Sequence, residues 1–252
     1  MALALVTGAT SGLGLTFARA LAARGDDVVL VARDEARLDA VAAELRAAGR
    51  TVHVVPADLA TRDGVARVTD AVREHRIDLL VNNAGSSIGK FFGDTDVADE
   101  DAQLDLMVKA PMDLMAAALE VMRPRRSGQI LNVASVAAFT PRGTYSAHKA
   151  WIVNLSQWMN IQYAAEGIVT TALCPGFVRT EFHQRMGVDP SDVPRWMWTS
   201  TDQQVRGALC DLEKGKPLSV PTARYKVLAT VARYAPAGLV AAVAKKGRKV
   251  AE

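Results

Sequence analysis

Tyr145 and Lys149 stand four residues apart at the start of a helical pattern, so their side chains share one face and the ammonium can approach the phenol. A nearby cation favours phenolate, which would draw the tyrosine from about 10 toward neutrality and make Tyr145 a usable proton donor to a carbonyl oxygen. Ser135, ten residues earlier and just beyond a strand-like run, is placed to donate a hydrogen bond to the same oxygen as charge develops there. None of the three is specific alone: Y-x-x-x-K arises readily by chance, and a lone loop serine means nothing. Their position after the fifth strand of an alternating pattern raises them.

A second constellation lies at the other end of the chain. A strand-like run leads into Thr7-Gly8-Ala9-Thr10-Ser11-Gly12-Leu13-Gly14 and then into an apolar-faced helix through Phe17, Ala18 and Leu21. Glycines at 8, 12 and 14 permit a tight turn, close approach of backbone N–H groups to a pyrophosphate and close helix-on-sheet packing, and the helix N-terminus favours the anion. The spacing differs from G-x-G-x-x-G, and a glycine turn by itself could be merely structural, the lesser of the two readings. After the second strand, where an NAD enzyme places an acid for the ribose 2′-hydroxyl, the chain reads Val31-Ala32-Arg33. A guanidinium there suits a 2′-phosphate through charge-assisted, bidentate bonds, so NADP(H) is expected over NAD(H). An ordinary surface arginine is the competing reading.

The elements that would position these residues are legible as repeated βα units. Strands are expected at 3–6, 28–31, 52–55, 79–81, 129–133, 169–173 and 218–220, all parallel, with helices near 13–24, 34–48, 62–75, 99–122, 145–165 and 202–213. Asp34, Asp99 and Thr201 are candidate N-caps. This is an α/β class, a single Rossmann-like doubly wound domain with a seven-stranded sheet. The irregular stretch 175–200 is long enough to act as a lid or binding loop. It carries Phe177, Phe182, His183, Met186, Trp196, Met197 and Trp198, and Phe91 and Phe92 could form a second apolar wall. Such a lining favours a bulky apolar ligand, although the same side chains could simply seal the loop.

The 252 residues, half of them hydrophobic, suit one large domain. No run of eighteen apolar residues occurs, and the first strand begins almost at Met1, so a cytoplasmic protein is expected. Cys174 and Cys210 have neither disulfide nor metal-ligand spacing, and both read as buried packing residues; no metal is expected. The net charge of +3 hides an asymmetry, because residues 224–252 carry seven Lys or Arg against Glu252 alone. These charges flank Val227, Leu228, Val231, Leu239, Val240 and Val243, with Pro236 between them. The segment reads either as a solvated helix packed on its own subunit or as an amphipathic, partner-facing or membrane-touching one, and no nucleic-acid role is assigned.

Taken together, Thr7-Gly8-x-x-x-Gly12-x-Gly14, Asn82-Asn83-Ala84-Gly85, Ser135, Tyr145-x-x-x-Lys149 and Pro175-Gly176 resemble the short-chain dehydrogenase/reductase family, in the family's order and over residues 3–221. The resemblance implies NAD(P)-dependent carbonyl–alcohol interconversion and a homodimer or homotetramer built on the helices at 99–122 and 145–165. It implies cofactor contacts at Gly8, Thr10, Ser11, Gly12, Leu13, Gly14, Asp58, Leu59, Asn82, Ala84, Gly85, Tyr145, Lys149, Pro175, Gly176, Val178 and Thr180. Residues 1–221 would form the catalytic unit and 222–252 a basic amphipathic extension of it. Two departures stand out. Met107 occupies the position where the family commonly has an asparagine that helps to hold a water linking the lysine to solvent, and a thioether is a weak acceptor. The Ser135–Tyr145 separation is a few residues shorter than usual, which predicts poorer convergence of the two hydroxyls. The expected function is reduction of a hydrophobic ketone or aldehyde; the alternative is a cofactor-binding regulatory or scaffold protein with impaired catalysis.

Overall fold

The computed structural model describes residues 2–181, 193–236 and 238. Seven strands, β1 (Leu3–Thr7), β2 (Asp27–Ala32), β3 (Val52–Pro56), β4 (Leu79–Asn82), β5 (Gly128–Val133), β6 (Ile168–Leu173) and β7 (Leu218–Ser219), form one parallel sheet in the order β3-β2-β1-β4-β5-β6-β7. The order reverses between β1 and β4, which opens a crevice at the carboxyl ends of those strands. Helices α1 (Gly12–Arg24), α2 (Glu35–Ala47), α3 (Arg62–His75), α4 (Val97–Leu104), α5 (Ala110–Met122), α6 (Thr144–Gln162), α7 (Thr201–Glu213) and α8 (Ala223–Tyr234) follow the strands.

Strand alternation builds a core on each face of the sheet. Leu5, Leu80 and Ile130 pack in one cluster with Val68, Leu114, Met122 and Ile152 of α3, α5 and α6. Their neighbours Ala4, Val6, Leu79 and Leu131 pack in the other with Phe17, Leu21, Leu38 and Leu209 of α1, α2 and α7. Each fully buried leucine stabilises by about 1.5–3 kcal/mol, so the two layers fix the strand ends that carry the polar residues.

Several local expectations need correction. Asp34 caps α2, accepting from the Arg37 N–H, but the other two caps lie outside their helices: Asp96 accepts from Ala98 and Ser200 from Gln203, so Asp99 and Thr201 fall in the first turn. A cap requires extended backbone before the helix, which Asp96 (ψ 139) and Ser200 (ψ 153) have. The helix expected over 99–122 is interrupted by a π turn at Asp105–Lys109, with Met107 buried in it and the Ala110 N–H bonded to the Asp105 carbonyl. Pro111 accounts for the wider turn, because its ring clashes with the carbonyl four residues back and it has no N–H to donate. Cys174 is buried as expected, but Cys210 is exposed on α7. Among the described residues no helix is long and apolar enough to cross a membrane.

Candidate active site

At the end of β1 the chain turns through Gly8 and Gly12, both at positive φ (66° and 54°), into α1. Gly14 is held against the turn so closely that a Cβ there would lie 2.1 Å from the Gly8 carbonyl oxygen. Ser11 occupies the N-cap of α1 with no side-chain hydrogen bond, which leaves first-turn N–H groups directed at the crevice for an anion. Thr180 covers this turn, since a Cβ on Gly12 would meet its Cγ2 at 3.2 Å. Thr180 and Val178 belong to the segment after β6, which is anchored by the buried Val178 pairing with Thr199 and by an Arg37–Glu181 ion pair at 2.9 Å.

The turn is braced by Asn83, which belongs to the Asn82–Gly85 motif but was given no role of its own from the sequence. Asn83 donates from Nδ2 to the Thr7 carbonyl at 2.8 Å, while Thr7 Oγ1 accepts from the N–H groups of Asn83 and Ala84 at 2.9 Å each. Asn82 points elsewhere: its Nδ2 donates to Asn132 Oδ1 (2.8 Å) on β5, and Asn132 donates to Ser156 on α6 (2.8 Å). The Asn82 Oδ1 atom is buried and has no hydrogen-bond partner among the described residues. At the ends of β2 and β3, Arg33 has a largely exposed side chain that comes within 4.0 Å of the Asp58 carboxylate, with Leu59 buried beside it.

Ser135, Tyr145 and Lys149 meet at the carboxyl ends of β5 and β6. Main-chain bonds from Ala134 to Leu173 (2.7 Å) and from Val136 to Pro175 (3.1 Å) pin the serine, whose Oγ caps a 3₁₀ turn by accepting from Ala137 at 3.1 Å. Despite the short separation, the Ser135 and Tyr145 side chains are hydrogen-bonded; the chain bends at Gly143 (φ 95°) immediately before α6. Lys149 Nζ lies 5.7 Å from the Tyr145 ring centre and donates to the Val133 carbonyl at 2.7 Å. Gly85 flanks it, within 3.7 Å of where its Cβ would stand.

The electrostatics depart from the expected ones. Burial pushes the Tyr145 phenol up to about 12, with the Ser135 hydrogen bond pulling it back, and burial takes Lys149 down to about 8. The lysine does not draw the tyrosine toward neutrality here: its ammonium is turned to the Val133 carbonyl, and loss of solvent dominates both groups. Tyr145 is therefore held protonated. Behind the trio lies Cys174, fully buried, accepting from the Ser135 N–H and pushed up to about 12 by burial. No group of three metal-ligating side chains occurs among the described residues.

The loop after Pro175-Gly176 is fixed by α8. Tyr225 packs so tightly on Gly176 that a Cβ there would fall 2.0 Å from its ring, and its hydroxyl accepts from Phe177 N–H (3.0 Å) and donates to the Met197 carbonyl (2.8 Å). Phe177 and Trp198 stack edge-on at 5.8 Å, whereas Trp196, Phe91 and Phe92 are exposed. Phe182, His183 and Met186 lie outside the described residues.

The short chain dehydrogenase family model matches residues 2–190. A short-chain dehydrogenase from Sphingobium yanoikuyae in complex with NADPH superposes with a TM-score of 0.84 at 33% identity, covering 100% of this chain and 98% of that one. The bulky-bulky ketone specific alcohol dehydrogenase from Comamonas testosteroni gives 0.80 at 31% identity, over 96% and 94% of the two chains. An uncharacterised oxidoreductase of Staphylococcus epidermidis is 35% identical over 182 residues, 70% of this chain and 78% of its own. With the glycine turn, the Ser135–Tyr145–Lys149 cluster and the sheet order in one crevice, the chain belongs to the short chain dehydrogenase family.

Proposed function

We propose that the protein is an NADP(H)-dependent oxidoreductase that interconverts a hydrophobic ketone or aldehyde and its alcohol. The observation that carries this reading is the hydrogen-bonded Ser135–Tyr145 pair with Lys149 beside it, at the same end of the sheet as the glycine turn. The residues present fit a dinucleotide with a 2′-phosphate. Gly8, Thr10, Ser11, Gly12, Leu13 and Gly14 would cradle the pyrophosphate, Arg33 would take the 2′-phosphate, and Asp58 and Leu59 would border the adenine. Asn82, Ala84 and Gly85 would follow the cofactor inward, where the unpartnered Asn82 Oδ1 awaits a donor. Pro175, Gly176, Val178 and Thr180 would border the carboxamide. The NADPH-bound relative supports this assignment.

When bound, the nicotinamide supplies the hydride in reduction and accepts it in oxidation. Tyr145, held protonated by burial, gives its proton to the carbonyl oxygen as charge develops there. Ser135 stabilises that oxygen by a second hydrogen bond, and its own orientation is set by the Ala137 and Cys174 contacts. Lys149, seven per cent exposed, holds the ribose side of the site and returns a proton to Tyr145. Phe177, Met197 and Trp198 provide an apolar wall, and the bulky-ketone enzyme among the relatives supports a bulky apolar substrate. Met112, Trp158 and Ile161, exposed on α5 and α6, support a dimer or tetramer assembled through those helices.

The test is NADPH consumption over a panel of apolar ketones and aldehydes by the parent and Tyr145→Phe. Loss of a general acid should lower kcat about 10²- to 10⁴-fold while NADPH binding is unchanged. Tight NADPH binding without Tyr145-dependent turnover would instead support the regulatory reading suggested by Met107.

A further inference from the structure

Helix α8 presents three distinct sides. Tyr225 and Ala229 are buried against the domain. Val227, Leu228, Val231 and Tyr234, spaced as one helical stripe, are 63%, 40%, 57% and 78% exposed. Lys226 and Arg233, seven residues apart, occupy the flank between the buried side and this stripe, and the helix contains no acidic residue. A soluble surface helix has the reverse arrangement, with its polar side outward.

That basic flank opens on a cavity of about 380 Å³ between α8, β7 and the turn after Ser135. Its wall carries Lys226, Thr230, Arg233 and Lys216 together with apolar Phe139. Asp211 also lines it, engaged by Lys216 at 2.6 Å and by Ser219 at 2.8 Å and attracted by Lys226, so one carboxylate faces three cations and the wall keeps a net positive charge. Trp196, 58% exposed, stands on the neighbouring segment tied to the helix through Arg224 and Tyr225. In sequence the helix is followed by Lys245, Lys246, Arg248 and Lys249, and the segment from 224 onward carries all of the chain's net positive charge.

From these features we infer that α8 is a peripheral docking surface for an anionic lipid bilayer, with Val227, Val231 and Tyr234 entering the interface and the Lys226–Arg233 cavity taking a lipid phosphate. An outward apolar stripe beside basic residues and interfacial aromatics is the pattern of helices that lie in a bilayer surface. A second copy of the chain fits less well, because pairing α8 with itself across a two-fold axis brings the same cationic flanks together. An anionic surface meets both the apolar and the charged requirements at once.

The experiment is sedimentation of the full chain with vesicles of phosphatidylcholine alone or mixed with phosphatidylglycerol, for the parent and for Val227→Asp/Val231→Asp and Lys226→Gln/Arg233→Gln, all checked by circular dichroism melting. The parent should be captured only by the phosphatidylglycerol vesicles, and less so as salt rises. Removing the two basic side chains should lower the partition coefficient about 30-fold at low salt, and the aspartate pair should abolish capture. Equal capture by both lipids, capture by neither, or capture unchanged in either folded variant overturns the inference. So does stabilisation by inorganic phosphate without vesicle binding, which would mark a free-anion site. Loss of an oligomer in Val227→Asp/Val231→Asp, with the parent indifferent to vesicles, would assign the face to a second copy instead.

Discussion

Replacing Lys149 by methionine should remove a pH dependence of stability that can be worked out from the structure. The lysine titrates at 10.5 in the unfolded chain and is taken down to about 8 in the fold by burial. Between those values the unfolded state binds more protons than the native state, so the parent becomes more stable as pH rises. At one unit per 1.36 kcal/mol, the gain from this residue is about 1 kcal/mol between pH 7 and 9 and about 3 kcal/mol by pH 10.5. Cys174 and Tyr145 act in the opposite sense, because both are raised to about 12 and the unfolded chain loses their protons first, from 9 and 10 upward. The comparison is therefore between parent and Lys149→Met, in which those opposing contributions largely cancel. Urea unfolding followed by circular dichroism at pH 7, 8 and 9 should show the parent gaining on the variant by about 1 kcal/mol. Parallel curves would refute the claim that a desolvated lysine sits in this site, whatever the activities of the two proteins.

Other perturbations test the remaining parts of the site. Arg33→Ala should weaken NADPH about 10- to 100-fold in fluorescence titration and leave NADH unchanged, since only the 2′-phosphate loses charge-assisted bonds. Gly14→Ala should abolish cofactor binding and lower the melting temperature, because its Cβ would stand 2.1 Å from the Gly8 oxygen and 2.5 Å from Asn83 Nδ2, in a turn with no room to yield. Cys174→Ala strips the buried thiol acceptor from the Ser135 N–H; a stability loss of about 1 kcal/mol in urea and a lower kcat at unchanged NADPH affinity are expected. His53 and His148 are both lowered from 6.5, chiefly by burial, so their protons favour the unfolded chain. Stability should be full above that pH and fall as pH drops through it, and His148→Gln should flatten part of that fall in acid melting curves.

The order of strands and helices was legible because period-two and period-3.6 patterns are local, and the approach of Lys149 to Tyr145 was legible because a spacing of four puts both side chains on one helix face. What escaped is what depends on distant partners. Asn83 acts on Thr7 across 76 residues, and Tyr225 fixes Phe177 across 48. Asn83 stands inside the Asn82–Gly85 motif, but the motif does not say which of its side chains reaches the turn, and Tyr225 carries no local signal that separates it from a packing residue. The same holds for Cys174, an apolar strand-end residue by pattern that proves to be an acceptor for the serine N–H. The Ser135–Tyr145 bond was misjudged for a related reason: counting residues between them cannot register the bend at Gly143, whose positive φ only a glycine adopts freely.

Met107 shows how far a single-position departure can be interpreted. Read in sequence, it is one missing amide at a family position. In the structure the residue lies in a π turn that Pro111 enforces, and the polar groups around that turn are the more informative feature. Glu100 Oε2, Gln103 Oε1 and His148 Nδ1 are buried with no hydrogen-bond partner among the described residues, and His148 feels both Glu100 and Lys149 electrostatically. Buried polar atoms without protein partners are the places where ordered water is held, because leaving each one bare costs about 1–3 kcal/mol. The side chain at 107 is thus a poor guide to whether protons reach Lys149: the thioether supplies no relay, but it sits among groups that can hydrate the lysine's own helix.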